Sequence, residues 1–382
     1  MISCTQNRDR ADANWHINGI VSDENHFGDT VWMVHPAEWT GIDTARVKWK
    51  RFELYGRSDS VFVALVYDQN NFKLPVVVEP GMDVVLDIRK NRVSGSPLNE
   101  QMYRFIEPYE NFDKEFRRLW EELNFYDHTA AEREKIERQQ HEVHAARMKF
   151  MDSTAWDIYR DNADNVVGEY IFALMASWAL EFGQLYADTV HNRWQRIDSA
   201  YAVASPRLKN NKQVQYYIRY GQAQQQVQQG KKYIDIPALS YPEMQPTALS
   251  KLIDGKVAVV DFWASWCGPC RNEITETLIP LYQKYGGSGL VVVGVDVLDR
   301  EKDHAYASKE LGIPYPQIID TARFASEHYG LQSIPQVFVI DRDGTLLGNY
   351  RGEELVKVVE CVLQQYGMAQ REGCLLYAQK ER

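Results

Sequence analysis

Five cysteines in 382 residues are too few for a disulfide-built scaffold, which small secreted domains fill with many more. Long apolar runs are missing as well. A membrane-spanning helix needs about 20 consecutive apolar residues. The best stretch, Tyr170 to Phe182 (YIFALMASWALEF), is shorter, ends in charged and polar residues, and reads as a buried helix. Positive charge is in deficit, with 43 Lys and Arg against 53 Asp and Glu and a net charge of −10. That balance excludes nucleic acid as a partner, since binding phosphates takes a basic face. A metal-ligand set is also absent. His141 and His144 lie three apart on a charged helical stretch, but HEVH is one residue short of the H-E-x-x-H zinc pattern and nothing nearby completes it. Both read as solvated surface histidines, and no metal or cofactor is expected. What remains is ordinary: 45% hydrophobic and 25% charged residues describe a globular chain, and its length implies two or three domains.

The patterning divides the chain into five parts. Residues 1–13 are a polar N-terminal linker, and 14–103 read as β. WHINGIV places Trp15, Ile17 and Val21 on one face, SVFVALVY alternates, and LPVVV and DVVLDI are separated by Glu79-Pro80-Gly81. Short strands without intervening helix predict an antiparallel, all-β, sandwich-like domain. Residues 104–234 read as helical, from the spacing of Phe112, Phe116, Leu119 and Leu123 through the charged stretch TAAEREKIERQQHEVHAARMKF. They end in a Gln-rich segment that, with Gly230, Pro237 and Pro242, looks like a helix end followed by a linker. In 235–367, the apolar strands KVAVVDFWA and LVVVGVDV alternate with helices, and PQVFVIDRDG with TLLGNYRG reads as a hairpin. This predicts an α/β domain with a central mixed sheet and helices on both faces. Residues 368–382 are a tail.

Chemistry concentrates at Trp266-Cys267-Gly268-Pro269-Cys270, set between the first of those strands and its helix. The first turn of a helix leaves N–H groups unpaired and carries the positive end of the macrodipole, which favours a thiolate there. These effects depress the first cysteine from about 8.5 towards or below 7. The gain as an attacking group is only a few-fold, because nucleophilicity falls with basicity; the larger result is a better leaving group and a shifted reduction potential. Cys267 is therefore expected to be the exposed nucleophile and Cys270, one turn inside, the resolving thiol, the two alternating with a Cys267–Cys270 disulfide. Half of a zinc site is the competing reading, but Cys361 and Cys374 do not pair at short spacing. Cys361 reads as a small core residue, with a Cys361–Cys374 bridge left open.

VVDFWASWCGPC and SIPQVFVIDRDG resemble the two hallmarks of the thioredoxin superfamily, and CRNE with the longer segment to PQIID is similar to its TlpA/ResA-like group. The resemblance covers about a third of the chain. It implies extracytoplasmic, often membrane-tethered thiol–disulfide exchange, a cis bond before Pro335, and a substrate-docking lining of Trp266, Gly268, Pro269, Ile334 and Pro335. It further implies that Asp261 accepts the proton of the resolving thiol, as burial would suit it to do; a strand-end acid capping a loop is the alternative. Glu273 matches the group's acid near the pair, or is simply an acid favoured at a helix N-terminus. Thr275 stands where the group usually has proline, and Pro280 shifts any kink about one turn later.

The upstream layout (VVVEPGMDVVLDI, NRVSGSPLNEQMYRF) resembles an N-terminal domain of unknown function that precedes such redox domains in Gram-negative lipoproteins. Met1-Ile2-Ser3-Cys4 resembles the end of a lipoprotein signal, which makes Cys4 a lipidation candidate; an ordinary start with a stray cysteine is the alternative. The expected protein is a periplasmic, lipid-anchored oxidoreductase that acts on disulfide-containing proteins and is served by a membrane-bound or periplasmic thiol electron donor. A peroxiredoxin-type thiol peroxidase and a non-catalytic adaptor lipoprotein are the alternatives.

Overall fold

The computed structural model describes residues 12–21, 29–69, 73–181, 187–297 and 299–368. Cys4 and Cys374 lie outside them. The chain divides into two compact units, one to Tyr217 and one from Ile218.

The first unit opens with eight strands: β1 Trp15–Ile20, β2 Thr30–Val34, β3 Gly41–Arg46, β4 Arg51–Gly56, β5 Phe62–Asp68, β6 Lys73–Val78, β7 Asp83–Asp87 and β8 Arg92–Ser94. They form two four-stranded sheets, ordered β4-β1-β7-β8 and β3-β2-β5-β6. Burial alternates along β1, with Trp15 and Ile17 inward, as one packed and one wetter face require. The all-antiparallel expectation needs correction, because β1 and β7 run parallel. Parallel neighbours need a long crossover, and here the whole second sheet lies between them in sequence.

The β region also ends earlier than residue 103. A helix starts at Pro97, capped by Ser96, whose hydroxyl accepts the Asn99 N–H at 3.2 Å. Ser-Pro at this position is a strong helix start, since proline's missing N–H costs nothing in the first turn. Asn99 is fully buried and its amide bonds both the N–H and the C=O of Val77, at 2.9 and 2.8 Å, satisfying β6, the edge strand, where no neighbouring strand does.

Further helices follow at Ala130–Asp152, Thr154–Asp161, Val166–Glu181, Ala187–Ala202 and Lys212–Gln226. Val166–Glu181 is a buried helix, as its apolar run predicts. His141 is exposed, but His144 is half-buried and held below its ordinary value by burial, with Arg147 and Arg193 adding to the effect. It is therefore not the solvated histidine expected. Among the described residues, no helix is long and apolar enough to cross a membrane.

The second unit carries a seven-stranded sheet of β9 Pro237–Tyr241, β10 Pro246–Ala248, β11 Val257–Trp263, β12 Leu290–Asp296, β13 Gln317–Ile319, β14 Gln336–Ile340 and β15 Leu346–Asn349. Its order is β10-β9-β13-β12-β11-β14-β15, parallel from β11 through β12 to β13 and antiparallel elsewhere. Every residue of β11 and β12 is buried. Val257, Val259 and Trp263 enter one core, and Ala258, Val260 and Phe262 the other, so both faces are covered, as the unbroken apolar runs predict. The linker expectation fails at β9. Pro237 and Pro242 bracket the strand without interrupting it, in keeping with proline's tolerance at strand ends.

Candidate active site

β11 delivers the chain into the segment Ala264–Cys267, and a helix begins at Gly268. Cys267 is its N-cap, with Sγ accepting the Cys270 N–H at 3.2 Å. Pro269, in the first turn, lacks an N–H that would otherwise stay unpaired there. Cys267 and Cys270 are joined in a disulfide, their Cα atoms 5.3 Å apart. In this oxidised form Cys267 is only 5% exposed and Cys270 not at all, so Cys267 keeps the only access but is less open than the sequence reading expects. Trp266 projects beside it, 64% exposed. A side chain added at Gly268 would meet open space; glycine there leaves bare backbone next to the disulfide.

From the opposite side, the chain returns through a cis Ile334–Pro335 bond into β14. Pro335 is buried, and the Ile334 carbonyl oxygen lies 3.7 Å from Cys267 Sγ. The order of the sheet accounts for this meeting. β14 is the antiparallel neighbour of β11, so the beginning of one strand lies beside the end of the other.

Asp261 alternates with Val259 and Trp263 on the face of β11 that packs into the core holding both cysteines. It is fully buried, and neither carboxylate oxygen has a hydrogen-bond partner among the described residues. Burial pushes its carboxyl well above the usual carboxylate range, and the charge of Glu273 adds to the shift. Glu273 itself is half-buried, and its Oε1 accepts the Gly352 N–H at 2.9 Å, tying the helix of the cysteine pair to the start of the helix Gly352–Gln365. Beyond Glu273 the helix passes through a π-helical turn, Ile274–Leu278, closed by Ile279 N–H to Ile274 O. Pro280, which cannot donate, follows directly, so the irregularity falls where the displaced proline predicts it.

Sequence reading missed three parts of this neighbourhood. Tyr315 is buried, its hydroxyl lacks a hydrogen-bond partner among the described residues, and its phenol is raised by burial and by the charges of Asp261 and Glu273. Asp299 accepts both the N–H and the hydroxyl of Ser265, the latter at 2.8 Å, which pins the segment just before Trp266. Behind it, Asp296 accepts the Asp299 N–H at 3.0 Å and meets His304 Nδ1 at 2.7 Å, both side chains being buried. No local motif marks these residues. A signal was available only in the polar ends of an otherwise apolar strand (GVDVLD).

Residues 230–348 match the AhpC/TSA family. The thiol-disulfide oxidoreductase ResA of Bacillus thuringiensis is 28% identical over 115 residues, 30% of this chain and 66% of that protein. The thiol:disulfide interchange protein HelX of Rhodobacter capsulatus is 34% identical over 108 residues, 28% of this chain and 58% of its own length. The chain thus spans less than two thirds of either relative. Among solved structures, the thioredoxin domain of a thiol-disulfide oxidoreductase from Bacteroides vulgatus is similar over 35% of this chain and 95% of its own, with 26% identity and a TM-score of 0.33. The C-terminal part of the chain is a thioredoxin-like α/β domain matching the AhpC/TSA family, and the resemblance to thiol–disulfide oxidoreductases lies within it.

Proposed function

We propose that this chain is a thiol–disulfide oxidoreductase that reduces protein disulfides in the periplasm, held at a membrane by lipid on Cys4. The observation that carries the reading is the Cys267–Cys270 disulfide at the head of a helix, faced by the carbonyl before a cis proline.

In the reduced form, the Cys267 thiolate attacks one sulfur of a substrate disulfide. The substrate S–S bond breaks, a mixed disulfide forms, and the other substrate sulfur leaves as a thiolate and takes a proton from water. Cys270 then gives its proton to Asp261 and attacks Cys267 Sγ. The mixed disulfide breaks, the second substrate sulfur leaves as a thiolate, and Cys267–Cys270 is oxidised. Two electrons have passed to the substrate, and a membrane-bound or periplasmic thiol donor returns them. Asp261, raised by burial and further by the charge of Glu273, is a stronger base than an ordinary carboxylate. Trp266, Gly268, Pro269, Ile334 and Pro335 form the docking lining, with the exposed indole and the bare backbone at Gly268 available to an extended substrate segment.

A redox titration in thiol/disulfide buffers, with free thiols trapped and counted by mass, tests the reading. A reversible two-electron couple that disappears in Cys267→Ser supports it, and the potential sorts reductant from oxidant at about 30 mV per tenfold in equilibrium constant. Absence of a reversible couple would sink it and bring the peroxidase and adaptor readings forward.

A further inference from the structure

Trp266 is 64% exposed, so packing fixes little of its side chain, and its place beside Cys267 depends on the backbone beneath it. That backbone is gripped at the preceding residue. The two carboxylate oxygens of Asp299 take separate groups of Ser265: Oδ2 accepts the N–H at 2.5 Å and Oδ1 the hydroxyl at 2.8 Å. On the other side, the Ser265 carbonyl oxygen accepts Arg271 Nη1 at 3.4 Å, and Arg271 Nη2 donates to Glu310 Oε2 at 2.8 Å. The turn itself is closed by the Cys267 N–H, which bonds Ala264 O at 3.1 Å. Every polar group of Ser265 is thus engaged. A two-point hold by one carboxylate also needs a hydroxyl at position 265.

The grip is held from behind in its turn. Asp299 lies just beyond β12, and its N–H bonds Asp296 Oδ1 at 3.0 Å. Asp296 meets Nδ1 of His304, on the helix Glu301–Leu311, at 2.7 Å, and His304 Nε2 lies 3.1 Å from Ser308 Oγ. Asp296 and His304 are buried, and the His304 ring packs against Trp263 and Tyr241, with centroids 5.2 and 4.7 Å away. This arrangement is costly. Burial lifts the Asp299 carboxyl above its ordinary value, the bonds from Ser265 act the other way, and Asp296 adds to the lift. Closing a loop asks only for a neutral acceptor. Carboxylates in series, each orienting the next, define one position for the segment they hold.

We propose that Asp299 and Ser265 are positioning residues that hold the Trp266 indole and Cys267 Sγ at a fixed separation, and so give the site a preference for polypeptide disulfides over small ones. The proposal rests on thiol–disulfide exchange at Cys267. A small disulfide needs only a sulfur within reach of that thiolate. A polypeptide segment meets Trp266, Cys267 and the Ile334 side together, so a loose segment must be ordered as the substrate binds, and that cost falls on affinity. The attacking sulfur sits at the head of the helix, beyond the grip, so exchange in the bound state changes little.

The test uses the pre-reduced full chain with insulin and with dithiodiethanol, a neutral small disulfide, following rate against substrate concentration. Ser265→Ala and Asp299→Ala should each raise the half-saturating insulin concentration about tenfold, with less than about a twofold change in the limiting rate. Ser265→Thr keeps the hydroxyl and should restore the parent values. Trp266→Ala should raise the insulin value similarly, and Ser265→Ala/Trp266→Ala should raise it no further, because the grip acts through the indole. Losses that multiply in the double variant would overturn the proposal. So would an equal fall in limiting rate on both disulfides, the result of a merely structural role, or a Ser265→Thr protein no better than Ser265→Ala. A parent inactive on both disulfides would end the redox reading underneath, whereas an active parent with unchanged variants would end the positioning role alone.

Discussion

The two units of the chain handle polarity in opposite ways. In the second, β11 and β12 are buried end to end, and polar side chains gather where these strands finish: Asp261 inside the core, Asp296 and Asp299 behind the Ser265 segment. In the first, strands such as β1 and β7 alternate, and charge is spread over wet surfaces. The difference shows what secludes a reactive group. A sheet covered on both faces can hold a carboxylate away from water and raise its affinity for a proton, while a sheet with one wet face supplies shape and surface charge. Each unit should therefore fail in its own way when altered.

Cys267→Ser should have the largest effect, abolishing exchange by more than about 1,000-fold, since the remaining thiol of the pair, Cys270, is fully buried and exchange needs an accessible attacking thiolate; reduction of a model protein disulfide measures it. Next, Leu54→Ala, a fully buried side chain of the first unit, should cost about 3–5 kcal/mol. In calorimetry the transition of that unit should fall in temperature, while the Cys267–Cys270 couple stays in place. A displaced potential would break the comparison.

Asp261→Asn should slow resolution of the mixed disulfide about 100-fold and at the same time stabilise the fold. The sign follows from its raised carboxyl. The folded chain keeps a proton that the unfolded chain releases, so Asp261's contribution to stability is present at low pH and lost as pH rises through the folded-state value. The variant should therefore be more stable than the parent by about 1–3 kcal/mol at pH 8, with the gap closing near pH 3; denaturant melts at both pH values check it. The smallest effect belongs to Glu273→Ala, which leaves the Gly352 N–H without its acceptor and should cost about 1–2 kcal/mol. Glu273→Gln keeps an acceptor oxygen and should recover most of that loss.

What could be read from the sequence follows the same division. The redox pair, the returning Ile334–Pro335 segment and the buried strands are signalled by local chemistry: a short motif between strand and helix, and apolar runs whose length fits a covered sheet. The parallel pairing of β1 with β7 was not legible, because alternation along a strand says which face is inward and nothing about its neighbour's direction. β9 was hidden by its flanking prolines. Tyr315 and Asp299 were hidden for another reason: each matters only through a residue more than thirty positions away, and no single-chain pattern reports that proximity.

The π-helical turn at Ile274–Leu278 has a consequence for how this chain tolerates length changes. Such a turn amounts to one residue spliced into a helix, and one residue corresponds to about 100° of rotation. The splice separates two independently phased segments: Cys270 faces the core before it, and Leu281 and Tyr285 face the core after it. A one-codon deletion inside the turn would let the helix close into regular geometry and turn Leu281 and Tyr285 away from their neighbours. A one-codon insertion would have to be absorbed by an already expanded turn. Substitutions at the exposed Thr275 and Glu276 leave that phase untouched, so within this stretch the number of residues is under tighter constraint than their identity.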